Sequence, residues 1–484
     1  MPPFLALTLW FVLLVLLFAR DPAKDERVSA TLWVPLTWMF FLGSRLPAQW
    51  LGGSVASAAS ALEEGNPLDR LVFSVLMVLA IVILLTRSFK WGSFISRNLA
   101  LIALLAFAAV SVVWSDFPLI SLKRWFRDLG NYLMILVALS DQHPMEATIM
   151  LLRRICYLLI PLSILIYKYY PQIGKQYDNW TGAAMFVGAT TSKNMLGVLC
   201  LVSAIFFFWD TLRHWAERKN RQIRGIILVD LAFFGMSLWL LNLSNSATST
   251  VCTVIGCLVV LGARTKFLKR HPTFFKALMP ACFGLYLILA FGFEMNGELA
   301  KGVGRDPTLT GRSTIWKAVL STNTNPLVGT GYESFWLGSR LTHVWQVGGQ
   351  VNEAHNGYLE LYLSLGLIGV FLLFIFLIAS YRAIGKKLSA GLSLASLGIS
   401  LWTVLLFYNM TESAAFKGEL LWIIFVLVML TVNSPGPLQH EVSPFKREVS
   451  QVSQVGMRSQ VPASARGLMR FVAVGWRADA EAKL

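Results

Sequence analysis

The chain has 484 residues, of which 56% are hydrophobic and only 14% charged, and its apolar runs are long enough to cross a bilayer core of about 30 Å. This excludes a soluble globular enzyme and predicts a polytopic membrane protein with helical spans, because lipid satisfies no backbone polar group. Lys and Arg number 42 against 26 Asp and Glu, a formal charge of +16; much of the excess falls in short loops, which reads as topology rather than nucleic-acid binding.

Pro3–Ala19 is the first apolar run. No basic residue precedes it and no small-residue cleavage site closes it, and Arg20, Lys24 and Arg27 follow, so it reads as a retained helix rather than a cleaved signal. Further candidate spans are Val28–Gly43, Leu71–Leu85, Asn98–Trp114, Gly130–Leu139, Ile149–Ile166, Met195–Trp209, Ile226–Leu243, Thr248–Gly262, Phe274–Phe293, Gly357–Ser380, Leu392–Tyr408 and Leu420–Val432. Gly130–Leu139 is short, so the expected fold class is all-α: a polytopic membrane helical bundle of 12–13 transmembrane helices over residues 1–432, with one large exoplasmic loop. Pro161 interrupts its run without ending it, since neighbouring helices can satisfy the carbonyl it frees. Cys156, Cys200, Cys252, Cys257 and Cys282 all lie in apolar runs without metal-ligand spacing, which argues against disulfides and zinc.

The basic loops holding Arg213, Arg218, Lys219, Arg221 and Arg224, then Arg264, Lys266, Lys269 and Arg270, then Arg382, Lys386 and Lys387, are expected in the cytoplasm. The segments Asp116–Leu129, Tyr167–Asn194, Glu294–His355 and Asn409–Glu419 then lie outside. The tail at 433–484 is rich in Ser, Gln, Val, Pro and Arg without an apolar period, and is expected to be a disordered cytoplasmic extension.

This topology places cations against the charge rule. Lys123, Arg124 and Arg127, Lys168, Lys175 and Lys193, and Arg305, Arg312 and Arg340 all fall on the exoplasmic side, which points to an anionic ligand there. The competing reading has them snorkel to headgroups or pair with Asp116, Asp128, Asp178 and Asp306. The large periplasmic loop at 294–355 is the most polar insert. It contains Leu309-Thr-Gly-Arg-Ser-Thr-Ile-Trp316 and Pro326-Leu-Val-Gly-Thr-Gly-Tyr332 and runs into Glu353-Ala-His-Asn-Gly-Tyr-Leu-Glu360.

An exoplasmic site has no nucleotide pool, so group transfer there needs a donor already carried across the membrane. A polyprenyl-diphosphate-linked glycan meets that requirement. Arginine suits its diphosphate leaving group through planar, permanently charged, bidentate contacts, and positioned cations stabilise the charge that grows as the glycosidic bond breaks. His355 can accept the proton of an attacking hydroxyl, its ordinary pKa being about 6.5; the open alternative is an interfacial histidine bonded to a loop carbonyl. Asn356 and Gly357 read as a turn into the next helix, with Tyr358 and Tyr362 in an interfacial aromatic belt. Thr191-Ser-Lys-Asn-Met-Leu-Gly197 is a second candidate, where Lys193 can meet phosphate as a point charge and Asn194 can cap the helix or bond a sugar.

Absent patterns narrow the choice. Asp230, Arg153 and Arg154 lie near the ends of apolar runs, so no proton relay is expected, and no Walker-type loop occurs. The exoplasmic acids are scattered with no Asp-x-Asp pair, which favours a metal-independent reaction with no cofactor. Asn242–Thr250 reads as a turn between two spans rather than a cavity lining.

At these residues the chain resembles the O-antigen ligase and O-antigen polymerase superfamily, in its exopolysaccharide-production branch. The motifs are Thr190-Thr-Ser-Lys-Asn-Met-Leu-Gly197, Leu309–Trp316, Pro326–Tyr332 and Ala354–Glu360 followed by Leu365-Gly-Leu-Ile-Gly369, with Trp114-Ser-Asp-Phe-Pro118 ahead of Lys123 and Arg124. The similarity covers about Val28–Val432, with a ligase-like region at about 190–380.

The resemblance implies an inverting, metal-independent glycosyltransferase in the bacterial inner membrane. It would take glycan from undecaprenyl diphosphate to a lipid A-core or lipid-linked glycan acceptor, with other polysaccharide-assembly proteins as candidate partners. His355 and Arg312 would be the catalytic pair. By motif, Arg312 and Lys193 would engage the diphosphate or glycan and His355 would activate or orient the acceptor; Asn194, Arg124, Arg127, Arg305, Asn356 and Glu360 are further expected, from their positions in this sequence, to bind substrate with Lys193. One departure is Lys193 after Ser192, where many members carry histidine. The competing readings are a flippase or exporter of lipid-linked glycans, which would place charges in mid-span and show related halves, and a non-catalytic subunit of an assembly complex.

Overall fold

The computed structural model describes residues 1–21, 28–52, 65–177, 182, 184–265, 280–281, 284, 312–349, 351–413 and 418–434. The expected apolar runs fall on helices, except Phe274–Phe293, which lies almost wholly outside the described residues, as does the tail. The expected all-α membrane fold is what the chain adopts, with one short antiparallel hairpin pairing Lys175–Tyr177 with Ala184–Phe186.

The count of spans differs from expectation. Six described helices are long and apolar enough to cross a membrane, or seven if Trp91–Arg97 and Leu99–Trp114, bent by 88°, form one span. Four further apolar helices, Pro3–Ala19, Ala30–Leu42, Ser393–Tyr408 and Leu420–Asn433, have only 10–17 residues. At about 1.5 Å per residue, fewer than eighteen residues cover less than about 30 Å. The run Gly130–Leu139 is the second half of one 22-residue helix, Pro118–Leu139. The segment Asp116–Leu129, expected as a loop, is therefore mostly helical. Pro118 starts the helix, and Ser121, Asp128 and Asn131 turn inward while Lys123 and Arg127 turn out.

Two helices form the centre. Pro144–Tyr169 and the segment Lys193–Glu217 are each 83% buried over their apolar windows, against 33% for Pro67–Thr86 and Arg221–Ser244. In lipid the hydrophobic effect does not drive helices together, so close approach and buried hydrogen bonds must. Gly256 lets its helix meet Ile205, and its carbonyl accepts from Ser400 Oγ at 2.8 Å. Gly130 lies against Trp38, whose indole donates to Asn131 at 2.7 Å. Pro161 sits inside its helix without breaking it, and Asn245, in the left-handed region, turns the chain between Arg221–Ser244 and Ala247–Arg264.

The helix Gly357–Ser389 leaves helical geometry at Gly366, with φ 64° and ψ −166°. The break strands backbone groups within a helix long and apolar enough to cross a membrane, and the loop Pro326–Tyr332 supplies their partners. Thr330 and Gly331 donate their N–H to the carbonyls of Leu363 and Ser364 at 3.0 and 2.9 Å. Leu367 and Ile368 donate to Pro326 and Leu327 at 2.9 and 3.1 Å. Non-helical backbone survives there because protein, not lipid, surrounds it. A Cβ on Gly366 would lie 2.3 Å from the Leu327 carbonyl, and one on Gly329, φ 68°, 2.5 Å from that of Ser364. The motifs around Gly329 and Gly366 are thus two halves of one interlock.

Gly366→Ala is expected to cost on the order of 3 kcal/mol, through backbone strain plus collision. Leu367→Ala, at an exposed neighbour, should stay within about 0.5 kcal/mol. Unfolding midpoints of the purified variants decide; equal midpoints would refute the interlock.

Candidate functional site

Glu412, in the loop after Ser393–Tyr408, is buried and gathers groups from three other segments. Its Oε1 accepts from Arg312 Nη2 at 2.6 Å. Its Oε2 accepts from Asn194 Nδ2 at 3.1 Å and lies 3.3 Å from His355 Nδ1. A buried carboxylate without such donors would be strongly disfavoured, so the contacts hold the loop and the three segments to one another.

Each partner is aimed by its own local structure. Ser192 caps the helix Lys193–His214 by accepting from the Met195 N–H, which places Lys193 and Asn194 in the first turn. Arg312 is the first described residue of the helix Arg312–Leu320. His355 adopts φ 50°, a left-handed conformation uncommon outside glycine. Asn356 then caps the helix Gly357–Ser389, its Oδ1 accepting from the Tyr358 and Leu359 N–H groups and its Nδ2 donating to the Met410 carbonyl. The Gly357 N–H reaches the carbonyls of Asn409 and Glu412 at 2.9 and 3.0 Å, and any Cβ there would lie 2.0 Å from Asn409 Oδ1.

Glu360 is buried, accepting from the Trp336 indole at 3.0 Å and from the Ala354 N–H. The Trp316 indole donates to the Ala354 carbonyl at 2.8 Å. Asn356 and Glu360, expected to bind substrate, instead brace the turn that carries His355: their polar atoms are taken up by backbone and indole groups at the base of that turn.

His355 Nδ1 faces two carboxylates, Glu412 and, at 3.1 Å, Glu353 Oε1. Two acceptors place the ring proton on Nδ1 and leave Nε2 with its lone pair and no partner among the described residues. Burial works against the imidazolium. The hydrogen bond to Glu412 and the charges of Glu353 and Glu412 outweigh it, Arg312 opposing, so the pKa is raised above its ordinary value. The premise that the acids are scattered fails in the fold: Glu353, His355 and Glu412 each bring one ligand atom within 4.8 Å of the others. Arg312 already fills Glu412 with the positive charge that a metal ion would bring.

The other expected residues divide. Lys193 is half-buried beside Asn194, with no hydrogen bond or ion pair to the described residues. Arg124 and Arg127 do not join the Glu412 cluster. Arg124 donates to the Glu333 carbonyl, and Arg127 Nε to Asp128 Oδ1 at 3.1 Å, while the Tyr332 hydroxyl donates to Asp128 Oδ2 at 2.8 Å. They form a separate centre around Asp128, against which Gly418 lies. Arg340 pairs with Asp116, as the competing reading held for surface cations. Arg305 lies outside the described residues. Sequence reasoning missed Glu412; the one available signal was an acid in a short loop assigned to the same side as His355.

Residues 231–374 match the family model described as O-antigen ligase, a stretch containing Arg312 and His355 but not Lys193 or Glu412. The exopolysaccharide production protein ExoQ of Rhizobium meliloti (strain 1021) is 28% identical over 293 residues, covering 58% of this chain and 64% of that protein. The chain thus spans a little under two thirds of that relative's length. Residues 231–374 are thus similar to the O-antigen ligase family, and the chain is similar to an exopolysaccharide production protein.

Proposed function

We propose that the protein is a membrane glycosyltransferase that moves a glycan from a polyprenyl diphosphate to a sugar hydroxyl on the exoplasmic face. The observation that carries this reading is the single carboxylate of Glu412 bonded to both Arg312 and His355, which joins a permanent cation and an oriented imidazole in one partly exposed cluster.

In this mechanism the Nε2 lone pair of His355 takes the proton from the acceptor hydroxyl. The acceptor oxygen attacks the anomeric carbon from the face opposite the diphosphate. The bond from that carbon to the phosphate oxygen breaks, its electron pair leaves with the diphosphate, and the configuration inverts. Arg312 commits Nη2 to Glu412, and its other N–H groups, with Lys193, would stabilise the departing charge. Glu412 and Glu353 hold the imidazole and stabilise it once protonated, the role a carboxylate plays in acid–base triads. No step calls for a metal. The name of the relative, an exopolysaccharide production protein, favours extension of a glycan chain over its attachment to lipid A-core.

His355→Ala and Arg312→Ala should each lower transfer at least about a hundredfold, with the protein still inserted and abundant. Wild-type product levels would remove the assigned roles. Cells lacking the gene should accumulate single lipid-linked repeats; accumulation of completed, unattached chains would point to ligation instead.

The pH profile gives a separate check. A base must be neutral, so activity should rise with pH through the raised pKa of His355, on a limb above the usual value near 6.5. Glu412→Gln removes the largest raising contribution, so that limb should move to lower pH even as the maximal rate falls. The imidazolium pairing contributes stability fully below the ordinary pKa and loses it as pH rises through the raised one. A limb unmoved in Glu412→Gln would dissociate His355 from the base role.

A further inference from the structure

A second polar cluster lies about 24 Å of helix rise from Asn194, at the other end of the same helix. It was not expected, because Asp230, Arg153 and Arg154 read as isolated charges near the ends of spans. The fold brings them together with Asp21, Asp210, Arg213 and His214. Arg153 donates to Asp210 and reaches Asp21 at 3.4 Å, Arg154 donates to Asp21 at 2.7 Å, and Arg213 donates to Asp210 at 2.9 Å. Arg154 also lies over the rings of Phe18 and Trp33. Asp21 and Asp210 thus take up the guanidiniums of this cluster.

Three groups are left over: the Asp230 carboxylate, His214 Nδ1 and the Nε of Arg153. Asp230, on the helix Arg221–Ser244, is fully buried, and neither carboxylate oxygen has a hydrogen-bond partner among the described residues. His214 Nδ1 likewise has no hydrogen-bond partner among the described residues, lying 3.7 Å from Asp210 Oδ1, while Arg213 Nη2 lies 3.4 Å from its Nε2. One ligand atom from each of Asp210, His214 and Asp230 lies within 4.8 Å of the others. An ionised carboxylate that accepts no hydrogen bond, in surroundings that include the buried Ile227 and Phe233 of its own helix, forfeits several kcal/mol of solvation. A divalent ion would have to sit beside the Arg153 and Arg213 guanidiniums that already bracket Asp210. A proton fits better: on Asp230 it removes the buried charge without adding a further cation beside those guanidiniums.

We propose that Asp230 and His214 form a proton-binding pair inside the bundle, separate from the Glu412 cluster, with Asp230 carrying the proton. His214, whose side chain is 17% exposed, connects the buried carboxyl to water at that end. The titratable and charged groups facing the pair are Arg153 and Tyr157 from Pro144–Tyr169, Asp210 and Arg213 from Lys193–His214, and Asp21 beyond the first helix. The pair does not depend on the glycosyltransferase reading.

Infrared difference spectroscopy of the full-length protein in lipid nanodiscs tests it. At neutral pH the wild type should show a protonated-carboxyl band that shifts on exchange into heavy water, is absent from Asp230→Asn and is displaced, not lost, in His214→Ala. Asp230→Asn, which imitates the protonated acid, should keep its unfolding midpoint, whereas Asp210→Asn, which strips Arg153 and Arg213 of a partner, should lower it. Absence of a band that Asp230→Asn removes would overturn the proposal, because a water-bridged, ionised Asp230 would then be the occupant state. It would equally be overturned by Asp230→Asn destabilising as much as Asp210→Asn, or by zinc or manganese raising the wild-type midpoint but not that of Asp230→Asn.

Discussion

Backbone polar groups inside a membrane have no water to turn to, and the organisation of this protein follows from how it meets that constraint at Gly366. A continuous helix from Gly357 to Ser389 would satisfy itself and leave the loop Pro326–Tyr332 with nothing to bind. Because the helix breaks, Leu363 and Ser364 offer carbonyls and Leu367 and Ile368 offer N–H groups, and the loop answers all four. The same loop then delivers Tyr332 to Asp128 and leads on to Trp336, which reaches Glu360. One backbone interlock therefore fixes the first turns of the helix that follows His355 and the polar loop that packs on them.

Electrostatics completes the arrangement. Glu412 accepts from Arg312 and Asn194 and faces His355, so the loop carrying it is anchored to three segments far apart in sequence. Each contact alone is modest. Together they answer the desolvation cost of a buried carboxylate, and the loss of any partner leaves a charge unmatched. The geometry also divides labour on the imidazole: Nδ1 is engaged by carboxylates and Nε2 is left open, an asymmetry that an isolated interfacial histidine would lack.

Much of this was legible in the sequence because it is local. Apolar runs mark the helices, Ser192 and Asn356 precede their helices as caps do, and the glycines of the Pro326–Tyr332 motif signal backbone that side chains cannot follow. What was not legible is long-range. Nothing near Glu412 says that it will meet Arg312, and nothing in Glu360 says that both its oxygens will be used by Ala354 and Trp336 instead of a ligand. Arg124 and Arg127, expected in an exoplasmic segment between spans, in the fold extend a helix whose inward face is Ser121, Asp128 and Asn131. The scatter of acidic residues along the chain likewise concealed two clusters that exist only once the spans have packed.

The two clusters differ in what they leave unsatisfied, and that difference bears on use. At the Glu412 end the supporting groups are matched: Asn356 by two N–H groups and a carbonyl, Glu360 by an indole and a backbone N–H, Asn194 and Arg312 by Glu412 itself. Among the described residues the open groups are His355 Nε2, Lys193 and the remaining N–H groups of Arg312, an imidazole nitrogen beside cations. At the Asp210 end Arg153, Arg154 and Arg213 pair with Asp21 and Asp210, although Arg153 Nε lacks a partner, and among the described residues the Asp230 carboxylate and His214 Nδ1 are open, which suits a proton. A packed interior tolerates unmatched polar groups only at a cost of a few kcal/mol each, so the positions where this chain bears that cost are where chemistry or binding is to be sought. The valences that remain open define the ligand more narrowly than the composition of either cluster does.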